Sequence, residues 1–189
     1  MKPHPHSSRR PRAGFTLIEL LVTVSILGIL MSLAVPSLND ALMNVRLTGQ
    51  ANDLLTDLAL ARSEAVKRIV QTGVCARNAA GTACSGTNVW SAGWIVFVDA
   101  DANGAVDAGT DAIIKTVPAF PGTSTLVRTD GGGAAGTSRV AFGAAGTSVG
   151  GLATGSAFKL CDNRSKGRII TVSAMGRASV TTPATCVYP

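Results

Sequence analysis

The stretch GFTLIELLVTVSILGILMSLAVPSL, Gly14 to Leu38, decides how the rest of the chain is read. From Phe15 to Val35 it holds 21 residues whose only charge is Glu19. Wound as an α-helix, such a run is about 30 Å long, the thickness of a bilayer's hydrocarbon core. A carboxylate inside it costs about 2.5–3.5 kcal/mol on insertion scales, so Glu19 calls for a partner. Lys2, Arg9, Arg10 and Arg12 precede the run, and the next cation is Arg46. The positive-inside rule then predicts a single-pass membrane protein, with residues 1–14 cytoplasmic and the chain after about Pro36 on the far side.

A secretory signal peptide carries its small-residue cleavage site after the apolar run. Here Ala13-Gly14 stands before it, so a cut after Gly14 keeps the membrane segment. That cut creates an α-ammonium on Phe15, four residues ahead of Glu19. This ammonium, on the same chain or on a neighbouring copy, is the natural partner of the carboxylate.

Gly14-Phe15-Thr16-Leu17-Ile18-Glu19 resembles the class III signal of type IV pilins and type II secretion pseudopilins. The resemblance implies cleavage between Gly14 and Phe15 by a prepilin peptidase and N-methylation of Phe15. It also implies that Glu19 neutralises the terminal amine of an adjacent subunit during filament assembly. Pro36 falls where such proteins carry a helix-loosening proline, and its missing N–H predicts a kink.

The net charge of +6 is mostly topology: without the four leader cations, 13 basic and 11 acidic residues remain, a net of +2. Both histidines, His4 and His6, lie in the leader. Serine–histidine and cysteine–histidine catalysis therefore have no base beyond Gly14, and the reading is of a protein that is not an enzyme.

After Pro36 a helical pattern continues to about Ile69. Leu38, Leu42 and Val45 form one short stripe. Leu47, Leu54, Leu58, Ala61, Ala65 and Ile69 form a second, nearly opposite the first. The first stripe is expected to meet other subunits, and the second to pack on the chain's own globular part. From Thr72 the runs GVCA, GWIVFV, AIIKTV, TLVR, RVAF, AFKLC, RIITVS and RASVT read as strands separated by Gly, Pro, Asn and Asp. GAAGTS, at 133–138 and again at 143–148, reads as hairpin or loop material.

The expected fold is α+β, one long N-terminal helix packed on an antiparallel sheet. Its parts are a leader (1–14), a membrane-spanning half-helix (15–36), a periplasmic half-helix (37–70) and a β-rich domain (71–189). LARSEAVKR, GWIVFVDAD and FKLCDNRSKGRIITVSAMGR are similar to the GspH/FimT group of minor pilins and pseudopilins. That resemblance implies a non-enzymatic minor type IV pilin for pilus assembly. The alternative is an H-type pseudopilin of a type II secretion system. Implied partners are prepilin peptidase, other pilins, inner-membrane lipid and, for a contribution to DNA uptake or surface contact, DNA.

The four cysteines fall on the far side of the membrane, where disulfides persist. Three pairings are possible. The one expected joins Cys75 to Cys84, closing a short hairpin, and Cys161 to Cys186, tying down the C-terminus.

In DADANGAVDAGTD, 99–111, Asp99, Asp101, Asn103, Gly104 and Asp107 match positions one, three, five, six and nine of a calcium-binding EF-hand loop. Position twelve is Thr110 in place of glutamate, with Asp111 beside it. A hairpin turn is the plainer reading, and no cofactor is required.

Lys159, Arg164, Lys166, Arg168 and Arg177 face only Asp162 within residues 156–189, a local net of +4 suited to phosphate contact. FimT-type proteins are thought to hold DNA through a Gly-Arg-x-Arg element. The matching residues here are Gly176, Arg177, Ala178 and Ser179, so the second arginine is missing. Tyr188 is the one aromatic of the tail after Phe158.

Overall fold

The computed structural model describes residues 14–130, 139–149, 156–183 and 186. The basic leader, the first GAAGTS copy and Tyr188 lie outside the described residues. The chain forms two compact units that divide between Met43 and Asn44.

The one described α-helix, α1 (Leu17–Arg68), begins at a cap. Thr16 Oγ1 accepts the Glu19 N–H at 3.3 Å, satisfying a donor that the helix itself leaves open. Within the first unit every residue from Gly14 to Leu42 is exposed. The hydroxyls of this segment turn inward on their own helix. Thr23, Ser25 and Ser32 donate to the carbonyls of Leu20, Leu21 and Ile29 at 2.9, 2.7 and 2.7 Å. An otherwise apolar helix thus presents few unsatisfied polar groups to a lipid surrounding. The helix continues through Pro36, which has no N–H to give to the carbonyl four residues back.

In the second unit α1 buries Leu47, Gln50, Ala51, Leu54, Asp57, Leu58, Ala61 and Ala65, a single face at spacings of three and four. The periodicity extends this stripe to Ile69, yet Ile69 is 79% exposed. The physical reason is the helix end. Val70 N–H reaches back to Ala65 C=O at 3.3 Å, and Ile69 takes φ +56°, the left-handed cap conformation. Its side chain is thereby turned off the helical face.

Nine strands follow among the described residues: β1 (Thr72–Ala76), β2 (Trp94–Val98), β3 (Ala112–Val117), β4 (Thr125–Asp130), β5 (Arg139–Phe142), β6 (Ser148–Val149), β7 (Ser156–Cys161), β8 (Gly167–Val172) and β9 (Ala178–Thr181). They form a five-stranded sheet ordered β3-β2-β1-β5-β6 and a four-stranded sheet ordered β4-β7-β8-β9. Every pairing is antiparallel. The two-residue β6 has no counterpart in the sequence reading. It pairs with β5 across the second GAAGTS copy, whose Gly146 N–H closes on Gly143 C=O at 2.8 Å.

One core joins α1 to both sheets, with Val74, Trp94, Val96, Phe142, Phe158 and Ile170 among its members. The strands β1 and β2 are buried along their whole length, which period-two alternation explains. Val74, Ala76, Trp94 and Val96 belong to the helix-side core, and Cys75, Ile95 and Phe97 to a second cluster. Gly73 pairs with Phe97, and a Cβ there would come within 2.6 Å of the ring. The structure has disulfides Cys75–Cys84, nine residues apart, and Cys161–Cys186, 25 apart.

Candidate functional site

The expected processing signal, Gly14 to Glu19, runs into the start of α1 at Leu17. Gly14 is open on all sides, Phe15 is 82% exposed, and Glu19 lies in the first helical turn. A carboxylate at this place also faces the positive end of the helix dipole. Thr16-x-x-Glu19 is a capping-box pattern that is hidden in the sequence because the signal motif absorbs both residues. Thr16 thus fixes where the helix begins and, through it, where Glu19 stands.

Leu38, Leu42 and Val45 are 61%, 59% and 69% exposed, against complete burial of Leu54 and Ala61. The change of apolar face along α1 therefore corresponds to a change of surroundings. One stripe is spent on the chain's own core, and the other is left outward.

A buried polar contact that the sequence does not announce anchors the second-unit part of α1. Asp57, fully buried, accepts Trp94 Nε1–H at 2.9 Å and Lys115 Nζ–H at 2.6 Å. The signal was available: Asp57 sits between Leu54 and Leu58 on the apolar face, where an unpaired carboxylate is costly. Its partners stand on β2 and β3 and could not be named without the pairing.

The basic residues of the tail gather only in part: Arg164, Lys166 and Arg168 lie about Asn44, and Arg177 lies apart from them. Arg164 Nε and Nη2 both donate to Asp162 Oδ2, at 2.8 and 2.6 Å, and Nη2 also reaches Asn44 Oδ1 at 3.1 Å. Burial pushes the Asp162 carboxyl up, but the Arg164 hydrogen bond and the backbone N–H groups of Lys166 and Arg164 outweigh it and hold it below the ordinary value. Arg168 donates to Gly167 C=O at 2.8 Å and to Thr48 Oγ1 at 3.2 Å. Lys166 is exposed in the β7–β8 turn and lines a shallow hollow with Asn44, Arg168 and Pro183. Lys159 is half-buried within β7.

Arg177 lies at the far end of β8, in the β8–β9 turn. A six-residue strand of about 20 Å separates that turn from Lys166. Gly176, φ +72°, is structural: a Cβ there would run into Gly146 C=O, which already accepts Arg62 Nε–H at 2.8 Å. Ser179, at the place of the missing arginine, shares a 2.9 Å hydrogen bond with Thr171.

In the acidic loop, carboxylate oxygens of Asp99, Asp101 and Asp111 lie within 4.8 Å of one another. Asn103 Nδ2–H is shared between Asp101 Oδ2, at 2.7 Å, and Asp107 Oδ2, and Asp107 is not part of the cluster. Asp111, noted in the sequence only as a neighbour of Thr110, thus joins the cluster.

Comparison with known proteins places these features in a wider set. The family model for type II transport protein GspH matches residues 50–176, and that for the prokaryotic N-terminal methylation motif matches residues 9–35. The pilin-like protein PilA1 of Thermus thermophilus is 34% identical over 103 residues, 53% of this chain and 56% of that protein. The chain thus spans little more than half the length of that relative. Among solved structures, the type IV minor pilin FimU of Pseudomonas aeruginosa matches with TM-score 0.57 and 23% identity, over 77% of this chain and 98% of that one.

Proposed function

The chain belongs to the family of type II transport protein GspH, and on that footing we propose that it is a minor type IV pilin, a filament subunit with no catalytic task. The observation that carries the reading is α1's upper half: an apolar surface exposed all round, headed by a processing motif with Glu19 in its first turn. Before assembly this half lies in the inner membrane, with residues 1–14 cytoplasmic and the sheets in the periplasm. Prepilin peptidase releases Phe15, whose methylated ammonium pairs with Glu19 of a neighbouring subunit. In lipid that ion pair offsets the charge of the carboxylate, and it sets the register in which helices dock. Leu38, Leu42 and Val45 extend the inter-subunit contact.

Glu19→Val tests the docking step in cells that make the filament. The variant should still insert and be processed, while its share in sheared filaments drops about tenfold or more. Wild-type incorporation of Glu19→Val would contradict the proposal. The GspH family model itself favours a second reading, an H-type pseudopilin of a secretion system. Deleting the gene separates them. Loss of surface pili with normal secretion supports the pilin, and the reverse supports the pseudopilin.

A further inference from the structure

The loop from Asp99 to Asp111 contains a fully buried carboxylate. Asp99 follows the last residue of β2. Its Oδ2 accepts Gln71 Nε2–H at 2.6 Å, whereas its Oδ1 is buried with no hydrogen-bond partner. Buried carboxylate oxygens are rarely left so, because desolvation without a donor is expensive. Asp101, exposed, and Asp111, half-buried, bring their carboxylates to the same place. Among the described residues, no ion pair reaches Asp99, Asp101, Asp107 or Asp111. The nearby Arg139 donates to the carbonyl of Asn103 at 2.9 Å, not to a carboxylate.

We propose that Asp99, Asp101 and Asp111 bind a calcium ion that clamps the β2–β3 connection. Two oxygens on one calcium, each about 2.3–2.6 Å from the ion, stand up to about 5 Å apart, and the 4.8 Å span of the cluster fits. The donors are all hard oxygens with neither nitrogen nor sulfur, which selects calcium or magnesium over zinc or copper. The backbone is arranged for wrapping an ion. Asp111 Oδ1 and Oδ2 accept the N–H groups of Ala100 and Asp107 at 2.9 and 3.0 Å, which joins the loop's two ends. Gly104, φ +80°, makes the sharp turn at the sixth position, and a Cβ there would collide with the Arg139 guanidinium. The adaptable coordination of such a loop suits calcium better than the strict octahedron of magnesium. Asp99 Oδ1, otherwise orphaned, becomes a ligand.

The test is calorimetric titration of the full chain in detergent micelles, stripped with EDTA, with calcium chloride and separately with magnesium chloride. One calcium per chain should bind, raising the thermal unfolding midpoint. Asp101→Asn changes an exposed side chain, so it should keep the fold, shown by an unchanged near-ultraviolet circular dichroism spectrum, and weaken calcium at least about tenfold. Asp111→Asn should do the same. Absence of saturable calcium binding, equal affinity for magnesium, or undiminished calcium affinity in a folded Asp101→Asn protein would overturn the proposal.

Discussion

Asp57 shows at the scale of one residue how a polar group can hold an apolar interface in register. Its two partners come from β2 and β3, so the contact favours one placement of the second-unit part of α1 on the sheet. Asp57→Ala leaves Trp94 Nε1–H without its acceptor and is expected to lower stability by about 2–3 kcal/mol, read by urea unfolding. Ile69 works the other way. A β-branched residue at φ +56° is strained, and glycine takes that conformation freely. Ile69→Gly should therefore stabilise the chain by about 0.5–1 kcal/mol, seen as a higher thermal midpoint.

Asp162 gives a pH prediction. Its folded-state value lies below the ordinary 3.8, so its contribution is present above that value and is lost as the pH falls through the folded-state value. At neutral pH Asp162→Asn should cost about 1.5–3 kcal/mol. The deficit should shrink as denaturation is repeated in acid, from just below that ordinary value downward. An unchanged deficit in acid would refute the assignment.

At the scale of elements, α1 divides its labour along its length, and the sequence announces this through two stripes on opposite faces. It misplaces only the stripe's end, because helix periodicity carries no information about a left-handed cap. Strand runs are legible from alternation, while β6 is not: two residues are too few for a period. The basic tail is divided by the strand geometry. Lys166 and Arg177 look clustered along the chain, yet they end up in turns at opposite ends of β8. Arg164, moreover, is committed to Asp162. The Cys161–Cys186 bridge holds the chain that follows β9 to the end of β7. Replacing both cysteines by serine should lower stability by about 2–4 kcal/mol, measured against the wild type under non-reducing conditions.

At the scale of the whole molecule, one kind of information is plain in the sequence and another is hidden. The order of helix then strands, the membrane-length run and the processing motif are local patterns, and each can be read where it stands. Contacts between distant residues, such as Asp57 with Trp94 and Lys115 or Arg62 with Gly146, depend on which strands pair, and no local pattern encodes that. The arrangement as a whole leaves apolar surface in the first unit and a nearly complete core in the second. A protein so divided gains stability from lipid or from other subunits along one part only, which is what a filament subunit stored in a membrane requires.

The claim beneath all of this is that a freshly made ammonium at Phe15 meets the carboxylate of Glu19. Intact mass analysis of the native protein, isolated from cell membranes, addresses it most directly. The expected species is a chain beginning at Phe15, one methyl group heavier than its sequence and lighter by two cystines' worth of hydrogen. A chain that still carries Met1 through Gly14 would contradict it.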